Sequence, residues 1–117
     1  MHYQETVIWN KSMRLAEVAC LVSMRLPAME RYGVRLQMTR AAISVPSNVA
    51  EGWTRESKRE RGQFLAIAQG SLAELNTQLL ISERVGWLLA ADLVEIKGLV
   101  DEISRMLTVL RRASRPN

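Results

Sequence analysis

A chain of 117 residues fits one domain with room for a core, and 48% apolar against 24% charged residues is a globular balance that excludes a disordered chain. The formal charge of +4 and pI near 9.8 hint mildly at an acidic partner such as nucleic acid. Cys20 is the single cysteine, so no internal disulfide can form, and no run approaches the ~20 apolar residues of a membrane span. Glu5 and Glu17 in an opening without a long apolar stretch read against a signal peptide, and a cytoplasmic location is expected.

Four amphipathic helices are expected, over about residues 5–26, 31–52, 57–85 and 92–112. In the first, Ile8, Ser12, Leu15, Ala19, Val22 and Leu26 recur at helical spacing, and Pro27 ends the run because proline pushes its predecessor out of the α region. In the second, Leu36, Thr39 and Ile43 trace the expected inner face. Pro46 removes a backbone donor inside it, so a kink or restart is expected there, with Ser44 helping to satisfy the loosened turn. The third opens on Ser57-Lys58-Arg59-Glu60, at capping-box spacing, and Leu65, Ala68, Leu72, Leu75, Leu79 and Ser82 form its seam up to a stop at Gly86. The fourth takes Asp92 as cap with Glu95 as its partner, and Leu93, Ile96, Val100, Ile103, Leu107 and Leu110 as its seam; the tail from Arg111 to Asn117 reads as frayed. Nothing reads as a strand. The fold class expected is therefore all-α: one domain over 1–117, an antiparallel up-down-up-down four-helix bundle. Apolar residues beyond the seams (Leu80, Ile81, Leu99, Met106, Val109, and Trp9, Trp53 and Trp87) cover bundle ends or form a subunit interface.

Catalytic and metal chemistry find little support. The only histidine is His2, at the terminus, so neither a Glu-x-x-His metal pair nor a serine or cysteine nucleophile has a base beside it, and no phosphate-cradling GxxxxGK[ST] loop occurs. No catalytic residue, metal or cofactor is expected. Ser44, Asn48, Glu51, Glu74 and Gln78 share helix faces and read as a structural polar network that sets helix register; a ligand or partner site is the alternative. Gly70 and Ser71 would let another helix approach closely.

Charge distribution is more informative. Residues 1–30 are balanced, 31–61 hold seven basic and three acidic side chains, 72–102 two basic and six acidic, and 103–117 four arginines and no acid. Antiparallel topology would bring the junction of helices two and three to the same end as the close of helix four. Arg40, Arg55, Lys58, Arg59, Arg61, Arg111 and Arg112 are then candidate phosphate contacts, with Arg105 and Arg115 in the same cluster. A solvated surface is the plainer alternative.

Two stretches resemble one family. Gln37–Gly52 (QMTRAAISVPSNVAEG) is similar to the signature Q-x-x-R-A-x-x-S-I-P-x-N-I-A-E-G of the 23S ribosomal RNA intervening-sequence proteins, with Val45 and Val49 in the isoleucine positions. Phe64–Leu80 (FLAIAQGSLAELNTQLL) resembles that family's second motif, and Leu26–Gly33 its Phe-Pro linker, with Leu26 in the aromatic position. The resemblance runs from about Trp9 to Leu110. It implies a bacterial four-helix bundle, related to the accessory variability determinant of diversity-generating retroelements. By that analogy it further implies a homopentamer, RNA or DNA binding, and a reverse transcriptase or other protein as partner. It implies no catalytic residues. The resulting expectation is a non-catalytic oligomeric nucleic-acid-binding or scaffolding protein; the alternative is a protein–protein adaptor without nucleic-acid contact.

Overall fold

The computed structural model describes residues 2–115, and among these the chain is helical without a strand. The helices are α1 (Val7–Ser23), α2 (Val34–Trp53), α3 (Lys58–Arg84) and α4 (Val94–Ala113). Short 3-10 turns cover Tyr3–Glu5, Ala28–Glu30 and Ala90–Leu93. Each helix packs against two others, in the cyclic order α1, α2, α3, α4. Cross-helix bonds run in opposite residue order: Lys11 pairs with Glu102 and Arg14 with Glu95 between α1 and α4, while Lys97 meets Glu83 and Gln69 meets Thr108 between α3 and α4. Those neighbours are therefore antiparallel, in a body 47 Å long and about half as wide.

The helix ends follow side-chain chemistry. The Thr6 hydroxyl accepts from the Trp9 amide and starts α1 two residues later than expected, and Ser57 accepts from the Glu60 amide to start α3. Gly86, at φ +83, ends α3: its amide bonds the Glu83 carbonyl and the Trp87 amide bonds Ser82, a pairing that needs a left-handed residue. At the last helix the expectation needs correction. Asp92 accepts from the Leu89 amide and caps the Ala90–Leu93 turn, α4 begins only at Val94, and Glu95 pairs with Arg14 rather than supporting a cap. The tail expected to fray from Arg111 is ordered as far as Ser114, since α4 runs to Ala113 and Ser114 is buried with its hydroxyl on the Leu110 carbonyl; Pro116 and Asn117 lie outside the described residues.

The expected seams of α1 and α3 are buried throughout, and that of α4 is buried except for half-buried Leu110. In α2 the buried face differs from the expected one. Ile43 is 52% exposed and Leu36 and Thr39 only half-buried; Met38, Ala41, Ala42, Val45, Pro46 and Val49 form the core face instead. Apart from Met38 the buried stripe is built of small and medium side chains, which let α2 lie close to its neighbours, while the larger Leu36 and Ile43 lie off it. The helix runs unbroken through Pro46 without a restart. α2 comes close to α3 at Gly52, where an added Cβ would lie 3.1 Å from the Phe64 Cβ; Gly70, expected to serve this purpose, faces open space. Trp9, Trp53 and Trp87 are half-buried against the core, and Cys20 is half-buried.

Candidate nucleic-acid interface

The polar set on α2 and α3 divides. Ser44 and Ser71 share a hydrogen bond of 2.8 Å between the helices, and the Asn48 amide donates to both the hydroxyl (2.9 Å) and the carbonyl (2.8 Å) of Ser44. This trio is a structural link. Glu51 and Glu74 do not join it: both are exposed, Glu51 lying 3.7 Å from Arg55 and Glu74 accepting a long bond of 3.4 Å from Gln78. Gln78 is 7% exposed and its Oε1 is buried without a donor among the described residues. A single five-residue network is thus replaced by a satisfied trio and a half-satisfied pair, because Glu51 and Glu74 point outward on their helices.

At the end of the bundle where α3 begins and α4 ends, Arg59, Arg111, Arg112 and Arg115 border a groove of about 520 Å³ together with Gln69, Thr108 and Ser114. Gln69 ties this site together: its amide donates to the Thr108 hydroxyl at 3.1 Å and its oxygen accepts from Arg111 at 2.8 Å, so it holds Arg111 toward the groove. Gly62 forms part of the wall, where a Cβ would sit in ordinary contact, 3.4 Å from the Ser114 side chain. Among the described residues no carboxylate pairs with Lys58, Arg59, Arg111, Arg112 or Arg115. Lys58 is exposed on the first turn of α3, beside Arg59.

Arg55 and Arg61 serve a different purpose. The Arg55 guanidinium lies 4.7 Å from the centre of the Phe64 ring, and that of Arg61 lies 5.2 Å from the centre of Trp53 while donating to the Arg55 carbonyl. Both are partly buried by rings, which stabilise the α2–α3 corner by cation–π attraction and leave less of each cation for a ligand. Arg40 lies apart: it is exposed in mid-α2, thirteen residues before Trp53, or about 20 Å along the axis. The expected cluster therefore holds Arg59, Arg111 and Arg112 in one groove, with Lys58 alongside and Arg55 and Arg61 at the adjoining corner, and omits Arg40. Arg105 forms an ion pair with Asp101, whose hydrogen bond and charge raise the guanidinium pKa above its ordinary value. Gln69 and Thr108 were not legible as site residues, since nothing local marks a neutral amide as the holder of an arginine forty residues away.

Across the last turns of α4 from the basic groove is a second concavity. Val7, Ile8, Trp53, Met106, Val109 and Leu110 line an apolar cleft of about 540 Å³, with Glu5 and Arg105 at its rim. Val7 and Val109 are 61% and 63% exposed. Among the described residues no three potential ligands of the His, Cys, Asp and Glu types gather as a metal site would require, and no helix is long and apolar enough to cross a membrane.

The fold is similar to a solved protein of unknown function from Bacteroides thetaiotaomicron, described as belonging to the S23 ribosomal protein family. The TM-score is 0.81 at 20% identity, over 90% of this chain and 98% of that one. No curated protein matches the chain. The model of the 23S rRNA-intervening sequence protein family matches residues 4–109, which includes both motifs and all four helices nearly to the end of α4, and the chain belongs to that family.

Proposed function

We propose that this protein is a non-catalytic, oligomeric nucleic-acid-binding or scaffolding protein that contacts RNA or DNA phosphates through its basic pole. The observation that supports this reading is the meeting of Arg59 with Arg111, Arg112 and Arg115 around one polar groove, without carboxylate partners. Each guanidinium offers a planar fork of donors that matches a phosphate, and Gln69 keeps one of them oriented. Contacts of this kind position a nucleic acid without reading its sequence, and they weaken as salt rises. The reading includes a cytoplasmic homopentamer, with a reverse transcriptase or another protein as partner, by analogy with the family's relatives. Repeated weak sites on one assembly gain affinity through effective concentration. It assigns no catalysis, cofactor or metal.

Retention of a structured RNA at low and high salt tests the proposal, with light-scattering mass measured in parallel. RNA is expected to bind at low salt, to be released at high salt, and to engage an assembly whose mass is a multiple of 13.3 kDa. Absence of binding at low salt overturns the reading. The adaptor alternative draws its support from the apolar cleft; capture of a protein partner that persists after Arg59→Gln, Arg111→Gln and Arg112→Gln would favour it.

A further inference from the structure

We infer that the nucleic acid this protein takes is single-stranded, with one base entering the apolar cleft beside Trp53 while the neighbouring phosphates lie on the arginines across α4. This rests on the proposed phosphate-binding role of the basic pole. The two concavities flank the same last turns of α4: Met106, Val109 and Leu110 face the cleft, and Thr108, Arg111 and Arg112 face the groove. The ridge between them is one helix wide, about 10–12 Å. Val109 sits exposed on the cleft side of this ridge, three residues before Arg112.

Charge orients the ligand. The groove is rimmed by cations without carboxylate partners, and a phosphate is suited to it. The cleft is lined almost wholly by apolar side chains, and its rim holds Glu5 and an arginine already paired with Asp101. A phosphate gains little in the cleft, whereas a flat, largely apolar base loses water there and meets the half-buried indole of Trp53. The volume of about 540 Å³ lies within the roughly 300–1,000 Å³ of small-ligand clefts. A duplex keeps its bases stacked and paired and presents only its backbone, so filling the cleft from a duplex requires a base to be extruded. A single strand offers unstacked bases freely, and stacking on an aromatic ring is tolerant of sequence.

The test compares a short labelled oligouridine with the same strand annealed to its complement, by fluorescence anisotropy at low salt. The single strand is expected to bind about tenfold tighter, the order that one stacked base supplies. Trp53→Ala should remove that preference, and Trp53→Phe, which keeps a ring under Arg61, should restore most of it and leave duplex binding unchanged. A second readout leaves Trp53 in place: in the Trp9→Phe/Trp87→Phe variant, oligouridine should quench the remaining indole emission and the duplex should not. Equal binding of both forms without quenching overturns this inference and leaves the phosphate reading standing. Absence of binding by either form overturns the phosphate reading itself. A concentration-dependent dimer that Val109→Asp dissolves, with quenching lost in the dimer, would assign the cleft to a second copy of the chain and overturn the inference.

Discussion

Removing two arginines from the groove should change how RNA binding responds to salt by a calculable amount. Arg112 and Arg115 are exposed, pair with no carboxylate among the described residues, and line the groove with Arg59 and Arg111. Arg111 is held by Gln69, so it is left intact to avoid disturbing the α3–α4 contact. Each neutralised phosphate of a single strand contributes about −0.7 to the slope of log affinity against log salt. Four arginines therefore give each engaged subunit a slope of about −2.8, and raising salt from about 50 to about 200 mM weakens binding about 50-fold. The variant Arg112→Gln/Arg115→Gln retains two, with a slope of about −1.4 and a loss of about sevenfold over the same interval. Anisotropy titrations of labelled RNA at four or five salt concentrations measure both slopes. Neither side chain makes a bond among the described residues, so thermal melting should be unchanged. An unaltered slope in the variant, together with wild-type affinity at low salt, would refute the assignment of these arginines to phosphate.

Four further substitutions test the fold that positions the groove. Gly52→Ala places a Cβ 3.1 Å from Phe64 and 3.4 Å from the Arg61 carbonyl; it should destabilise by about 1–3 kcal/mol in denaturant titration, whereas Gly70→Ala should stabilise its exposed helix position slightly. Ser71→Ala removes the 2.8 Å bond to Ser44 and should cost about 1 kcal/mol by the same measurement. Gln78→Met removes the buried Oε1, which has no donor among the described residues, at nearly constant shape and should raise the melting midpoint; a gain of about 1 kcal/mol is expected, since an unmet buried acceptor costs about that much or more. Gln78→Met also removes the long amide bond to Glu74, so a loss of stability greater than that of Glu74→Ala would mean that this oxygen has a partner in the assembled protein.

Much of the architecture is legible in the sequence because helix seams are one-dimensional signals. Leu65 through Ser82 repeat at helical spacing, and the same six residues are buried in α3. The Ser57 cap and the Gly86 stop are local chemistry and stand where the spacing predicts them. The α2 face is legible only in part. Between Met38 and Val49 its core side is Ala41, Ala42, Val45 and Pro46, smaller than Leu36 and Ile43, and small size is what close packing requires. The start of α4 was obscured because Asp92 caps a 3-10 turn with the same spacing that would cap a helix.

The sequence alone therefore determined four helices, their order and the abundance of arginine near residue 60 and after residue 104, because periodicity and composition are properties of neighbours along the chain. Tertiary structure alone decided which arginines share a groove. Arg59 meets Arg111 and Arg112 because α3 and α4 run in opposite directions side by side; Arg61, two residues from Arg59, turns instead onto Trp53 because the helix rotates by about 200° over two residues. Arg40 carries the same charge but lies about 20 Å down α2 from that end. Distance in space, the direction of each side chain and the ring or amide that receives it distinguish a free cation from a structural one, and none of these is written in residue type.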